Sequence, residues 1–213
     1  MKLYLNTVSP LLWSSLKALM KIPELGAFRL VGGTSLSLQL GHRESVDIDL
    51  FTDAAYGSID FAKIESILKN VFPYMSSSSE LIGMGKSYFI GTNEGELVKL
   101  DLFYTDAFAF PLISEQHIRF ASIPEIAAMK FEVLAQGGRK KDFWDIHELL
   151  EHYRLNDLID FYLKRNPYSF SKEELMEKLV DFSVAEDDFT PTCYKGKLWE
   201  LIKLDFEELV ENR

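Results

Sequence analysis

Apolar residues recur at helical spacing in some stretches of the N-terminal half and alternate with polar residues in others. The helical spacing predicts helices over residues 10–21, 34–40 and 59–71. Short apolar or alternating runs predict strands over residues 28–31, 45–51, 87–91, 96–104 and 117–120, with a hairpin turn at residues 93–95. The first part of the chain is therefore predicted to be a mixed α/β region.

The pattern changes at Ser122, after which it is almost entirely helical. Ser122 with Pro124 and Glu125 is a helix-start signature, and Ser171 with Glu174 is a second capping box. Helices are predicted over residues 126–135, 141–153, 155–164, 172–180 and 197–210. We therefore predict an α/β core over residues 1–121 and a helical domain over residues 122–213. The serine-rich patch Ser76–Ser79 is interpreted as a loop or a solvated strand start.

The composition of the chain limits the kinds of function that it can have. The chain has 213 residues, and its net charge of −10 argues against wrapping a polyanion, although a local basic site could still bind RNA or a triphosphate. Its one cysteine, Cys193, can form neither an internal disulfide nor a cysteine-based zinc site, which favours the reducing cytoplasm. Neither a signal peptide nor an apolar run of about 18 residues is evident, so no membrane segment is expected.

Two aspartates lie on one predicted strand and carry the main chemical signal. Asp47 and Asp49 alternate with Val46, Ile48 and Leu50, so the carboxylates should point to one face and the aliphatic side chains to the other. Paired carboxylates can share Mg²⁺, which prefers oxygen ligands and often acts as a pair of ions in phosphoryl chemistry. We therefore predict a metal site with room for two Mg²⁺ ions.

A third carboxylate is expected from a neighbouring strand. Asp101 lies in the apolar run of residues 98–103, where an isolated charge would be costly unless it binds something. Lys99 shares its face and could compensate Asp101 or contact phosphate. The alternatives are a salt bridge from Asp101 to Lys99 or Arg43, and Asp106 as a substitute ligand.

Gly32, Gly33 and Thr34 precede the predicted second helix. Glycines let the backbone approach a phosphate, the helix N-terminus favours an anion, and Thr34 adds a hydroxyl donor. A plain turn is the other interpretation of the glycine pair. Arg43 is interpreted either as a phosphate or base contact or as part of a solvated loop.

Two blocks of the sequence together resemble the AbiEii/AbiGii toxin family of the nucleotidyltransferase superfamily. The first comprises Val31-Gly-Gly-Thr-Ser-Leu36, His42-Arg43-x-Ser45 and Asp47-Ile-Asp49-Leu-Phe51. The second comprises Ile126-Ala-Ala-Met-Lys130 and Arg139-Lys-Lys-Asp142-Phe-Trp-Asp145-Ile146. The resemblance spans roughly residues 27–153.

The resemblance implies an α+β fold, in which a mixed sheet flanked by helices is followed by a C-terminal helical bundle. It implies that Lys130 neutralises a triphosphate and that Asp142 and Asp145 complete the site, one of them as a base or substrate-orienting group. It also implies a cytosolic bacterial toxin of a toxin–antitoxin or phage-defence module, with a cognate antitoxin.

The leading hypothesis is metal-dependent transfer of a nucleoside monophosphate from a nucleoside triphosphate to an acceptor hydroxyl, on tRNA or a protein. Two alternatives stay open at this point. One is a catalytically silent interaction module with the same fold, and the other is an antibiotic-modifying type of small-molecule nucleotidyltransferase.

Overall fold

The computed structural model describes residues 1–77 and 83–211, so residues 78–79 of the serine-rich patch lie outside the described residues. The chain forms two compact units. Met1–Leu40 and Ser45–Ala121 belong to the first unit. The second unit begins again at Ser122 and also includes Gly41–Glu44, a tetrapeptide from the middle of the first unit's sequence.

A mixed sheet is the centre of the first unit. Its strand order is β3-β4-β5-β2-β1-β7-β6, and the β2–β5 and β1–β7 pairs are parallel whereas the other neighbours are antiparallel. These labels denote, within the described residues, the seven strands β1 Arg29–Leu30, β2 Asp47–Thr52, β3 Tyr74–Ser77, β4 Gly85–Asn93, β5 Glu96–Tyr104, β6 Leu112–Glu115 and β7 Ile118–Ala121.

The helices of the first unit are α1 Pro10–Leu19, α2 Gly32–Leu40 and α3 Phe61–Val71, with short 3₁₀ turns at Leu5–Thr7 and Pro23–Leu25. Side-chain caps fix two helix starts. Ser9 accepts a hydrogen bond from the Leu12 N–H at 3.0 Å, and Asp60 accepts one from the Lys63 N–H at 2.9 Å. The apolar stripes of α1 and α3 are buried in one core with β2, β4 and β5.

The second unit contains α4 Ile123–Ala135, α5 Lys140–Leu149, α6 Leu155–Arg165, α7 Lys172–Lys178 and α8 Trp199–Glu211. Aromatic side chains hold α5 and α8 together: the Trp144 and Trp199 rings stack at 5.8 Å between centroids, and Phe143 meets Phe206 edge-on at 5.9 Å. The unit is therefore a helical bundle with an aromatic core.

The α+β fold class is confirmed, and several local predictions are corrected. The capping box at Ser171 is present, whereas the Ser122 side chain makes no cap hydrogen bond. The Glu125 side chain is fully buried and pairs with Arg165 at 2.8 Å. Val46 was expected to face the core, yet it precedes β2 and is 64% exposed. In the described residues no helix is long and apolar enough to cross a membrane.

Candidate active site

The predicted carboxylates lie on two neighbouring parallel strands in the first unit. Asp49 of β2 is directly opposite Asp101 of β5, and Asp47 is opposite Lys99. Asp47 and Asp49 are partly exposed whereas Ile48 and Leu50 are fully buried, because successive side chains in a strand point to opposite faces. We call Asp47, Asp49 and Asp101 the carboxylate cluster. It occupies a single sheet face, with neighbouring strands about 4.8 Å apart.

Asp101 is held from two sides. The Ser87 hydroxyl on β4, directly opposite Asp101 in the antiparallel pair, donates to Asp101 Oδ1 at 2.6 Å. Lys99 Nζ donates to Asp101 Oδ2 at 2.6 Å. Partial burial lowers the pKa of Lys99, but the hydrogen bond to Asp101 and the attraction of all three cluster carboxylates outweigh it and raise that pKa above its usual value.

Gly32 lies against Asp49. Its backbone has φ +66°, a left-handed conformation that favours glycine, and a Cβ there would collide with the Asp49 carboxylate. The Val31 N–H donates to the Asp49 carbonyl at 2.9 Å, which fixes this turn against β2. Since α2 begins at Gly32, the glycine pair forms the first turn of the helix rather than a separate turn before it. The donor-rich N-terminus of α2 therefore adjoins the carboxylate cluster.

Thr34 is buried beneath this turn, with 1% of its surface exposed. Its hydroxyl hydrogen-bonds to the Asp47 carbonyl oxygen and lies 2.8 Å from Ser45 Oγ. These contacts join α2 to the start of β2, so Thr34 positions the glycine turn relative to Asp47. A contact from Thr34 to phosphate stays a prediction.

The carboxylate cluster has the ligand chemistry that Mg²⁺ prefers. Across residues 1–77 and 83–211, no three His, Cys, Asp or Glu side chains are arranged closely enough to hold a metal ion. The cluster residues nevertheless share one sheet face in adjacent positions, and Gly32 leaves room for the Asp49 carboxylate beside α2. The chemistry of the donors and their place on one sheet face therefore suit a divalent cation, and the metal site stays a prediction.

A second group of predicted residues meets in the second unit around Asp145, which is fully buried. Arg43 binds both oxygens of Asp145, through Nε and Nη2 at 2.7 Å each, and His42 Nε2 lies 2.7 Å from Oδ1. Burial raises the pKa of Asp145, but Arg43, Lys130 and His42 outweigh burial and hold this pKa well below its usual range. For His42, burial dominates and lowers the pKa.

Lys130 of α4 completes this arrangement. Its ammonium lies 2.6 Å from Asp142 Oδ1 and 2.7 Å from Asp145 Oδ2, and only 6% of the residue is exposed. Burial lowers the pKa of Lys130, whereas the two carboxylates raise it to a net value above the usual one. Asp142 also accepts the Arg139 backbone N–H at 3.0 Å, a helix-capping contact. We call His42, Arg43, Lys130, Asp142 and Asp145 the ion-pair network.

The structure places the ten predicted site residues in these two groups. Gly32, Gly33 and Thr34 accompany the carboxylate cluster, whereas Arg43, Lys130, Asp142 and Asp145 belong to the ion-pair network. The charges of the ion-pair network neutralise one another, and substrate contacts from Arg43, Lys130, Asp142 or Asp145 stay predictions.

The sequence analysis missed three partners. Ser87 was assigned to a strand without a role, and His42 entered only as part of the family resemblance, without a role of its own. Glu148, fully buried beside the network, pairs with Lys195 and with Lys197 Nζ at 2.9 Å. Only Glu148 carried a sequence signal, since a carboxylate three residues after Asp145 lies on the same face of α5.

Comparison with known proteins identifies a family and a relative of this chain. The family model described as nucleotidyl transferase AbiEii toxin, Type IV TA system, matches residues 15–191. The uncharacterized protein aq_aa25 of Aquifex aeolicus (strain VF5) is 28% identical over 214 residues, covering 92% of this chain and 96% of that protein.

Two solved structures share the fold. MenT4, a nucleotidyltransferase toxin from Mycobacterium tuberculosis H37Rv, has a TM-score of 0.61 at 14% identity, covering 95% of this chain and 84% of MenT4. JHP933 from Helicobacter pylori has a TM-score of 0.55 at 19% identity, covering 93% of this chain and 89% of JHP933.

Because the family model spans most of the sequence, the chain belongs to the AbiEii nucleotidyl transferase toxin family of type IV toxin–antitoxin systems. It is a nucleotidyltransferase, and the family assignment predicted from the two sequence blocks is confirmed.

Proposed function

We propose that the chain transfers a nucleoside monophosphate from a nucleoside triphosphate to an acceptor hydroxyl, and that the reaction depends on divalent metal, with two Mg²⁺ ions. One observation carries the proposal: the β2–β5 register puts Asp49 opposite Asp101, with Asp47 on the same face and the start of α2 against Asp49. Carboxylates beside a phosphate-binding helix start are the two parts that this chemistry needs.

The residues of the first unit have distinct proposed roles. Backbone N–H groups of Gly32 and Gly33 bind phosphate oxygens of the triphosphate, which the positive end of α2 also attracts. Asp47, Asp49 and Asp101 hold Mg²⁺, which when bound supplies charge stabilisation at the phosphates. The acceptor oxygen forms a bond to the α-phosphorus, the bond from that phosphorus to the bridging oxygen breaks, and pyrophosphate leaves.

The ion-pair network enters the proposal in the roles that the family resemblance gives it. Lys130 and Arg43 act on the triphosphate, and Asp142 or Asp145 orients the acceptor or accepts its proton. Since Arg43 and Lys130 are paired with carboxylates at 2.6–2.7 Å, these roles require an exchange of partners.

The acceptor is proposed to be a tRNA or a protein hydroxyl. A type IV toxin–antitoxin family implies a cognate antitoxin, and a cytoplasmic location and a role in phage defence belong to the same proposal. Inducible expression of the wild type beside Asp47→Asn tests toxicity: we expect arrested growth only with the wild type. Equal growth of both strains would count against a toxic role.

The biochemical test uses Asp49→Asn, which keeps the side-chain shape but removes a proposed metal ligand. Purified protein is incubated with each α-³²P nucleoside triphosphate, Mg²⁺, total tRNA and cell protein, and label in RNA and in protein is measured separately. We expect label transfer by the wild type and a loss of about 100-fold or more in Asp49→Asn.

Asp53→Asn is the matched control, because Asp53 is exposed just beyond β2, where it accepts the Phe108 N–H at 3.3 Å. It should transfer label as the wild type does. Calorimetric titration of each triphosphate with Mg²⁺ separates binding from transfer. Equal transfer by Asp49→Asn and wild type, or no triphosphate binding by folded wild type, would refute the proposal.

A further inference from the structure

Lys99 completes a block of four charged residues on one sheet face. In the β2–β5 register Asp47 is opposite Lys99 and Asp49 is opposite Asp101, so three carboxylates and one ammonium occupy adjacent positions. Lys99 Nζ lies 2.6 Å from Asp101 Oδ2. The ammonium thus offsets part of the repulsion among the three carboxylates of the cluster.

The two oxygens of Asp101 have different partners. Oδ1 accepts a hydrogen bond from Ser87 on the neighbouring strand β4, whereas Oδ2 accepts one from Lys99. Ser87 is a short side chain on a strand and fixes the orientation of the Asp101 carboxylate. Lys99 has a long, flexible stem, and 40% of its side chain is exposed, so its ammonium can leave Oδ2 without disturbing the strand.

A divalent cation at Asp101 would lie within a few ångströms of the Lys99 ammonium. Two positive charges at that distance repel strongly, and a partly buried site screens them little. The oxygens of a triphosphate, which carry negative charge, offer the ammonium a new partner in the same region.

We propose that Lys99 is an exchangeable cation: it occupies Asp101 before substrate arrives and moves to a phosphate oxygen when a divalent cation and a triphosphate bind together. This inference rests on the proposed function, because it takes the carboxylate cluster as the metal site. Lys99 thereby disfavours binding of the metal ion alone and favours binding of the metal–triphosphate complex.

The test is Lys99→Met, which keeps the length of the side chain and removes its charge. Mn²⁺ binding is followed by electron paramagnetic resonance, first with Mn²⁺ alone and then with Mn²⁺ and inorganic tripolyphosphate, a probe independent of nucleotide preference. We expect Lys99→Met to bind Mn²⁺ alone about tenfold more tightly than wild type, and Mn²⁺–tripolyphosphate about tenfold more weakly.

Lys63→Met is the matched control. Lys63 also belongs to the first unit and pairs with one carboxylate, Glu24, at 2.9 Å, but it is not part of the charged block. It should match wild type in both titrations. A second variant, Asp101→Asn combined with Lys99→Met, should lose the gain in Mn²⁺ affinity.

The opposite signs of the two effects make the result decisive. If Lys99→Met binds Mn²⁺ alone no more tightly than wild type, or if both affinities change in the same direction, the exchange is refuted. That outcome leaves label transfer by the wild type unaffected, whereas failure of the proposed function would appear as absent transfer and absent triphosphate binding.

Discussion

Replacing Asp145 with asparagine should strongly destabilise the protein. The Asp145 carboxylate is fully buried and accepts two hydrogen bonds from Arg43, with His42 Nε2 and Lys130 Nζ also at 2.7 Å. Asparagine keeps the shape but removes the negative charge, and its amide group would face donors. Arg43 would then be a buried cation without its carboxylate, although Lys130 would keep Asp142.

Breaking a buried ion pair in this way costs about 3–5 kcal/mol. Total stabilities are about 5–15 kcal/mol, so the loss is a large fraction of the whole. For a chain of this size each kcal/mol shifts the melting temperature by about 2–4 °C, and the expected decrease is about 6–20 °C. Thermal unfolding followed by circular dichroism at neutral pH measures it.

Asp157→Asn is the control, because Asp157 also lies on a helix of the second unit but is exposed and accepts the Arg154 N–H at 3.1 Å. It should change stability by no more than about 1 kcal/mol. The combined variant Arg43→Met/Asp145→Leu should recover part of the loss, since replacing both buried partners by apolar groups is far less costly than removing one.

The dependence of stability on pH in the acid range gives an independent check. Because the folded protein lowers the pKa of Asp145, the contribution of Asp145 to stability is complete above about pH 4 and is lost as the pH falls through the folded pKa. Asp145→Asn should lack this part of the acid sensitivity. An unchanged melting temperature in Asp145→Asn would refute the reasoning and show that the charge of Asp145 contributes no net stability.

Two further predictions concern Gly32 and His42. Gly32→Ala should lose about 1–3 kcal/mol of stability from its left-handed backbone, plus the cost of the collision with Asp49, and should also lose triphosphate binding. Gly57→Ala should show the backbone cost alone in urea unfolding, because Gly57 has φ +80° and an added Cβ there would meet no described atom within 4 Å apart from its chain neighbours. Because burial lowers the pKa of His42, the stability of the wild type should fall as the pH drops below about 6.5. Urea unfolding measured from about pH 8 to about pH 5 should show this fall in the wild type and not in His42→Gln. If Gly32→Ala binds triphosphate as tightly as the wild type, the argument about Gly32 is wrong. If the stability of His42→Gln depends on pH as that of the wild type does, the argument about His42 is wrong.

The sequence predicted the elements that have strong periodicity. The predicted strand over residues 96–104 matches β5, and the predicted helix over residues 155–164 differs from α6 by one residue. By contrast β6 was not predicted, and for β3 a strand start at Ser76 was only one of two interpretations of the serine-rich patch. Each strand has four residues and little alternation, and both lie at the edges of the sheet.

Register was harder to predict than strand position. The hairpin pairs Asn93 with Glu96, and continued evenly that register would put Tyr88 opposite Asp101. A bulge between Gly91 and Asn93 shifts the pairing by one residue, so Ser87 faces Asp101 instead. The Ser87 hydroxyl is therefore the partner of Asp101 only because of this bulge, which the sequence pattern did not predict.

The ion-pair network escaped prediction for a different reason. Arg43 and Asp145 are 102 residues apart in the chain, and each looks like a solvated charge when considered alone. Likewise Glu125 was expected to cap α4, but the distant Arg165 provides a buried cation that outcompetes this local contact. In both cases the partner of a charged side chain lies far away in the sequence, and the local spacing of residues gives no information about such a partner.

The tetrapeptide Gly41–Glu44 has a consequence for how the protein is made. Arg43 leaves the ribosome about 5–20 s before Asp145, at synthesis rates of about 5–20 residues per second across their separation of 102 residues. The remaining partners come later still, since the Glu44 N–H bonds to the Thr192 carbonyl and Arg43 forms an isolated β-bridge with Cys193. The segment that immediately precedes β2 thus acquires these contacts only after Thr192 and Cys193 have been translated.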